Sequence, residues 1–150
     1  MKIEEAINQT KPFRNDRHRA MVNLIYTHNW VVDQLRAKIK PYGITMQQYN
    51  VLRVLRGAGE PISTSVIRER LLDKMADTSR MVHRLAQKGL VVRRECAHDK
   101  RLVDVSLSED GYAMLHKLDA LDVEVDRICG ALTEKEAAQL SDLLDKLRSD

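Results

Sequence analysis

Residues 89–108 read GLVVRRECAHDKRLVDVSLS. Two runs rich in β-branched residues flank a tip made almost entirely of charged side chains, and this pattern predicts a β-hairpin. Gly89 suits the left-handed conformation that ends a helix, and the segment before it is basic with helical spacing. A basic helix can lie in one groove of DNA while a charged hairpin directly behind it reaches the next groove. The stretch therefore favours DNA binding.

The rest of the chain divides into helices. Apolar spacing predicts four helices before the hairpin, at about 17–40, 45–57, 63–71 and 75–88, and two after it, from Ser108 and from Thr133. Capping boxes that open at Thr45 and Thr133 mark two of these starts, because each hydroxyl satisfies a free backbone amide. On the helix at 75–88 the residues predicted to face inward are Met75, Thr78, Met81, Val82 and Leu85.

The C-terminal helices carry long apolar stripes. One stripe follows the hairpin, and the other lies near the C-terminus: Leu115, Leu118, Leu121, Val125 and Ile128, then Leu140, Leu143, Leu144 and Leu147. Together with the first long helix they present more apolar surface than one small lobe can cover. Because an exposed patch of this size is unfavourable, the stripes predict packing against a second copy of the chain, with Leu118 and Leu143 facing the partner.

Composition limits the class of protein. With 150 residues, of which 43% are hydrophobic and 31% charged, the chain suits one globular domain. No apolar run reaches membrane-spanning length and the first residues lack the apolar stretch of a signal peptide, so we expect a cytoplasmic protein with no membrane partner. Gly-rich phosphate loops, metal motifs and nucleophile constellations are missing from the sequence, which argues against an enzyme and predicts no metal or cofactor.

Charge and cysteine placement add two points. Residues 63–101 carry ten basic and five acidic side chains, whereas residues 102–150 carry five basic and twelve acidic ones. Attraction to phosphate therefore concentrates on the middle of the chain, unless these charges are simply solvated. Cys96 and His98 with Asp99 lack the further ligands of a metal site, and a structural role is favoured for them. Oxidation of Cys96 beside Arg93 and Arg94 is a second, weaker hypothesis.

The segment Thr78 to Val91 and the series Asp99-Lys100-Arg101, Val103, Val105, Leu107, Ser108 and Gly111 resemble the recognition helix and wing of the MarR family of bacterial transcription regulators. The resemblance covers about residues 20–148. It implies a mainly α fold with a small β-hairpin wing, a single winged helix-turn-helix domain over 1–150. Dimerisation helices are expected at 1–40 and 112–148, and a DNA-binding lobe at 45–107.

Within that lobe, the resemblance implies that 62–72 holds the first helix of the motif and 75–88 the recognition helix. The chain departs from the family pattern at Arg68 and Leu72, where relatives usually have a small residue and a glycine. The residues expected to contact DNA are Ser63, Thr64, Arg68, Ala76, Asp77, Ser79, Arg80, Arg84, Asp99, Lys100 and Arg101.

Several of these side chains have alternative roles. Arg80 can form a bidentate pair with guanine, Asp77 can accept from cytosine or cap and orient Arg80, and Arg84 can contact phosphate or form an ion pair. Strand alternation would point Lys100 and Arg101 to opposite sides, with Arg101 entering the minor groove and Asp99 supporting it.

Many members of the family bind small aromatic or anionic effectors in a cleft beside the dimer helices. Side chains of this chain that would border such a cleft, or simply pack, are Tyr26, His28, Trp30, Tyr42, Met46 and Tyr49. We therefore expect a sequence-specific DNA-binding repressor that binds an approximately palindromic site in double-stranded DNA as a homodimer and responds to an effector. The alternatives are a ligand-independent DNA-binding regulator and a winged-helix protein-interaction module, which steep salt dependence of DNA affinity would disfavour.

Overall fold

The computed structural model describes residues 1–149. Its regular elements, in chain order, are α1 (Ile3–Ala6), α2 (Asp16–Ile39), α3 (Met46–Ala58), β1 (Ile62–Ser63), α4 (Thr64–Arg70), α5 (Thr78–Gln87), β2 (Val91–Glu95), β3 (Val103–Leu107), α6 (Glu109–Asp119), α7 (Asp122–Asp126) and α8 (Glu134–Leu147). Short 3-10 turns at Lys40–Tyr42 and Arg127–Cys129 follow α2 and α7. The mainly helical architecture with a small hairpin is the one that the sequence predicts.

Side-chain caps set where the helices begin. Both predicted capping boxes are confirmed, at Thr45 with Gln48 and at Thr133 with Glu136. Asn15, Ser63 and Ser108 cap α2, α4 and α6 in the same way, each accepting a backbone amide three residues ahead. Each of these bonds satisfies one of the amides that the first helical turn leaves without a partner.

The hairpin belongs to a three-stranded antiparallel sheet of order β1-β3-β2. Val91 pairs with Leu107 and Glu95 with Val103, as the hairpin requires. The third strand is a correction, because Ile62 was expected to open a helix and instead pairs with Val105. The helix begins only at Thr64, since Ser63 is its cap and has extended backbone dihedrals.

The recognition helix also begins later than its apolar spacing suggests. The Oδ1 atom of Asp77 accepts the Arg80 amide at 3.1 Å, so α5 starts at Thr78. Before it, Oδ1 of Asp73 accepts the Met75 amide at 2.9 Å and holds a turn. Met75 is consequently 92% exposed, and its predicted inward orientation is wrong.

One apolar core lies where α3, α4, α5, the sheet and α6 meet. Its members include Val51, Leu52, Ile67, Leu85 and Val105, all essentially inaccessible to solvent. Leu115 and Leu118 of α6 belong to the same cluster. Because Leu118 is only 1% exposed within a single chain, the expectation that it faces a partner is wrong.

The single long helix expected after Ser108 is interrupted. The amides of Ala120 and Leu121 bond to the carbonyl groups three residues earlier, at 3.3 and 2.9 Å, which tightens and ends α6. The chain resumes as α7 from Asp122. The terminal segment therefore contains a joint at residues 120–121 that periodicity alone did not reveal.

The long terminal helices leave their apolar faces open. In α2 only Ile39 is buried, and α8 buries none of its residues. The large apolar side chains exposed on these two helices are Met21, Leu24, Ile25, Tyr26, Trp30, Leu140, Leu143 and Leu147. Ion pairs from Lys38 to Glu124 (3.1 Å) and from Arg56 to Asp119 (2.9 Å) tie the terminal segments to the helices before the hairpin.

Candidate nucleic-acid interface

A cleft between α4 and α5 brings together residues from both helices of the expected DNA-binding motif. It has a volume of about 370 Å³. Its lining contains Thr64, Arg68, Ala76, Asp77 and Ser79 from the expected set, together with Ser65, Met75 and Thr78. Ser65 and Met75 were not expected from the sequence to contact DNA. Two signals pointed to them: Ser65 directly follows Thr64, and Met75 lies in the turn where the chain departs from the family pattern at Leu72.

The recognition helix α5 has a buried face and an open one. Thr78, Val82 and Leu85 anchor it against the core. Ser79, Arg80, His83 and Arg84 are exposed on the other side. Neither arginine takes part in an ion pair within residues 1–149, so the structural ion pair considered for Arg84 is not formed. Both guanidinium groups keep their donors available for phosphate or base acceptors.

Two of the expected DNA contacts are occupied by capping. Asp77 accepts the Arg80 amide, which is the capping role considered for it, and this bond places Arg80 in the first turn of α5. The hydroxyl oxygen of Ser63 accepts the Val66 amide at 3.3 Å and lies 3.1 Å from that of Ser65. These two residues shape the cleft by fixing the starts of α4 and α5.

The wing ends in a turn built around Asp99. The amide and Nε of Arg101 both donate to Asp99 Oδ1 at 3.0 Å, and Nη2 donates to Oδ2 at 2.9 Å. These bonds from Arg101 lower the pKa of Asp99, and Asp99 in turn raises the pKa of Arg101. The Arg101 side chain remains 88% exposed, so it is oriented by Asp99 and still open to a ligand.

Lys100 and Arg101 lie in this turn and not in a strand, because β3 begins only at Val103. Strand alternation therefore does not separate them, which corrects that part of the sequence argument. The two residues differ in their hydrogen bonds. The Arg101 side chain donates to Asp99, whereas Lys100 is exposed and makes no such bond among residues 1–149. Arg93 and Arg94 of β2 are exposed on the same hairpin.

Packing joins the end of α5 to the start of α6. The amides of Gly89 and Leu90 bond to the carbonyls of Ala86 and Leu85 at 3.0 Å, with Gly89 in the left-handed conformation at φ 73°. The Ser108 hydroxyl donates to the Gly89 carbonyl at 2.6 Å. A side chain on Gly111 would overlap the carbonyl oxygen of Leu90, so only glycine permits this close approach.

The residues expected around an effector cleft separate into two groups. Tyr26, His28 and Trp30 are exposed on α2. Tyr42, Met46 and Tyr49 are half-buried against the core, and the guanidinium carbon of Arg53 lies 5.6 Å from the centre of the Tyr49 ring. None of the six lines the α4–α5 cleft or a smaller cavity of about 260 Å³ between α3 and α4. An effector site at these residues stays a prediction.

Two other findings concern the part of the chain from 1 to 149. No helix there is both long and apolar enough to cross a membrane. The same residues contain no group of three or more His, Cys, Asp or Glu side chains arranged to hold a metal ion, and both Cys96 and Cys129 are free thiols.

A capped recognition helix with free arginines, a second helix packed behind it and a three-stranded wing define a winged helix-turn-helix DNA-binding protein. The model of the MarR family matches residues 42–102. The chain is 34% identical over 128 residues to the multiple antibiotic resistance protein MarR of Salmonella typhimurium, covering 83% of this chain and 88% of that protein. It belongs to the MarR family of transcription regulators.

One further sequence relative and one solved structure support this assignment. The HTH-type transcriptional repressor MdtR of Bacillus subtilis is 30% identical over 115 residues, which span 76% of this chain and 74% of that protein. A mutant of MarR from E. coli, solved in complex with operator DNA, superposes with a TM-score of 0.83 at 26% identity, covering 93% of this chain and 100% of that one. The winged helix fold expected from the sequence is thereby confirmed.

Proposed function

We propose that this protein represses transcription by binding, as a homodimer, an approximately palindromic operator in double-stranded DNA. The observation that carries the proposal is the outward face of α5, where Arg80 and Arg84 are exposed and form no ion pairs within residues 1–149. Two copies related by a twofold axis would present two such helices to successive major grooves. The protein would act by binding and not by catalysis, in the cytoplasm, where the DNA of a bacterial cell is accessible.

Each part of the interface has its own task in this proposal. Arg80, held in the first turn of α5, reads a guanine edge, whereas Thr64, Ser65 and Arg68 at the cleft contact the phosphate backbone. Arg101 enters the minor groove from the wing tip, where a narrow groove concentrates negative potential. The open faces of α2 and α8 supply the dimer interface.

Selection of bound sequences from a random DNA pool tests the proposal and returns the operator. We expect a palindromic consensus with half-sites about one helical turn apart. Arg80→Ala should then weaken operator binding by about 1–3 kcal/mol per half-site and relax the preference at one base pair. His83→Ala, on the same exposed face, shows whether that relaxation is specific to the Arg80 guanidinium or follows any truncation on this face. Recovery of no consensus, or equal losses for Arg80→Ala on operator and random DNA, would contradict the assignment.

We further propose that a small aromatic or anionic effector modulates this binding. Support comes from aromatic side chains that are exposed along the middle of α2 and others that are half-buried in the turn after α2 and at the start of α3, between the expected dimer helix and the lobe. By linkage, an effector that weakens operator binding is itself bound less tightly by the DNA complex, by the same factor. Trp30 is the only tryptophan, so its fluorescence during titration with benzoate reports on this region. Unchanged fluorescence and operator affinity across a panel of aromatic acids and phenols would favour the ligand-independent alternative.

A further inference from the structure

The carboxyl end of the recognition helix is fastened to a distant part of the chain by one side chain, Lys88. Its Nζ donates to the backbone oxygen of Gly43 at 2.6 Å and to Oε1 of Gln48 at 3.2 Å. The acceptors precede Lys88 by 45 and 40 residues. The contact is therefore tertiary, and it joins the end of α5 to the turn between α2 and α3.

The Gln48 side chain that accepts from Lys88 is fixed by other contacts as well. Gln48 is only 4% exposed, and its Oε1 also accepts the Thr45 amide at 3.1 Å as part of the capping box that opens α3. The Thr45 hydroxyl closes the box by accepting the Gln48 amide at 3.1 Å. Because the cap fixes this oxygen, the ammonium group of Lys88 meets a rigid partner and not a mobile surface amide.

Two ties therefore converge on the same end of α5. Lys88 links it to α3, and the Ser108 hydroxyl links the next residue, Gly89, to α6. The opposite end of α5 carries Arg80, the residue proposed to read a base, behind the Asp77 cap. Because α5 packs on the core through Thr78, Val82 and Leu85, these ties at its carboxyl end help to set the angle at which the whole helix, with Arg80, is presented to the groove.

We propose that Lys88 is a positioning residue for base recognition: it sets the angle of the recognition helix relative to α2 and α3 without contacting DNA. The inference rests on the proposed DNA-binding function. Two of its three ammonium donors are already directed at protein oxygens. Both lysines are exposed, and they differ in their bonds: Lys88 donates to Gly43 and Gln48, whereas Lys100 at the wing tip makes no side-chain hydrogen bond within residues 1–149 and is an expected phosphate contact.

The salt dependence of binding separates these roles, because each lysine that neutralises a phosphate contributes about one to the slope of log affinity against log salt. Lys88→Met and the matched control Lys100→Met remove the same charge. We expect Lys88→Met to bind the selected operator about tenfold more weakly, with random-DNA affinity and the salt slope unchanged. Lys100→Met should weaken binding to both DNAs and reduce the slope by about one.

Two further variants test whether the effect of Lys88→Met comes from the loss of its hydrogen bonds. Lys88→Arg retains donors for both oxygens and should recover most of the operator affinity. Gln48→Met removes the fixed acceptor without changing charge and should reduce operator preference in the same direction as Lys88→Met, even if Lys88→Met does not fold. Thermal unfolding and titration of the active fraction ensure that folded proteins are compared.

The proposal is overturned if Lys88→Met and Gln48→Met bind the operator like the unmodified protein, or if Lys88→Met reduces the salt slope as Lys100→Met does. Failure of the proposed function has a different signature. In that case the unmodified protein does not distinguish the operator from random DNA, before any variant is compared, and a positioning role in base recognition falls with it.

Discussion

The DNA-binding lobe and the terminal helices differ in how much of their apolar surface is buried within one chain. The lobe closes its core within one chain, with Leu52, Ile67 and Leu85 fully enclosed. The terminal helices α2 and α8 present their leucine, methionine and aromatic side chains to solvent. The lobe therefore has its own source of stability, whereas the exposed faces of the terminal helices are the surface that the proposed dimer would cover.

The largest expected effect tests the lobe. Leu118→Asp places a charge in the closed core and should lower the free energy of unfolding by about 4 kcal/mol or more, enough to unfold a marginally stable domain. Urea denaturation followed by circular dichroism measures this change. Tyr112→Asp, on the exposed side of the same helix, should leave the lobe folded. A folded but monomeric Leu118→Asp protein would instead mean that Leu118 faces the partner.

A second substitution tests the terminal helices. Leu143→Asp, on the exposed stripe of α8, should weaken dimerisation by about 2–4 kcal/mol while the lobe keeps its fold. Sedimentation at several concentrations gives the dissociation constant, and Ser141→Asp on the opposite face of α8 is the control. If the unmodified chain sediments as a stable monomer at micromolar concentration, the open faces have another explanation.

A third test asks whether the wing of the lobe makes a specific contact with DNA. Arg101→Ala should reduce operator affinity by about 1 kcal/mol more than Lys100→Ala, because Asp99 orients Arg101 and a guanidinium is easier to dehydrate in a narrow groove than an ammonium. Binding of both variants at several salt concentrations decides the matter, and sedimentation should find both fully dimeric. Equal losses with equal salt slopes would reduce the wing to an unspecific basic tip.

The smallest effect concerns an ion pair within the lobe, between Arg56 of α3 and Asp119 at the end of α6. Bonds from Arg56 lower the pKa of Asp119. This pair therefore stabilises the folded state above about pH 4, the ordinary range of an aspartate, and its contribution is lost as the pH falls through the lowered value. Asp119→Asn should lower Tm at pH 7 by no more than about 3 °C, with the difference vanishing in acid. A Tm difference that persists in acid below the lowered pKa, where the carboxylate is protonated, would assign the effect to something other than this carboxylate.

The sequence allowed several elements to be predicted because their signals are local. The capping boxes at Thr45 and Thr133 need only two side chains each, and Gly89 is recognisable as a helix end. Five of the eight residues that line the α4–α5 cleft, Thr64, Arg68, Ala76, Asp77 and Ser79, belong to the set expected from the sequence to contact DNA. The sequence also indicated the exposed face of α5, which follows from helical periodicity.

Other features could not be predicted because the apolar spacing of the sequence fits more than one structure. Met75 has the spacing of a core residue, but the carboxylates of Asp73 and Asp77 bond to backbone amides and begin the helix three residues later. Leu118 fits a core and an interface equally well, and only the packing of α6 decides between them. Strand β1 has two residues, too few for any alternation to appear.

The glycine at 111 has a consequence for how relatives of this protein can diverge. Because the backbone of α6 touches the carbonyl of Leu90, position 111 is closed to every amino acid that has a side chain. The close contact between α6 and the segment that follows α5 therefore cannot be altered by a substitution at this position. In the proposed dimer, we expect variation in the spacing of the two recognition helices to arise at the interruption at residues 120–121, between α6 and α7, and not at position 111.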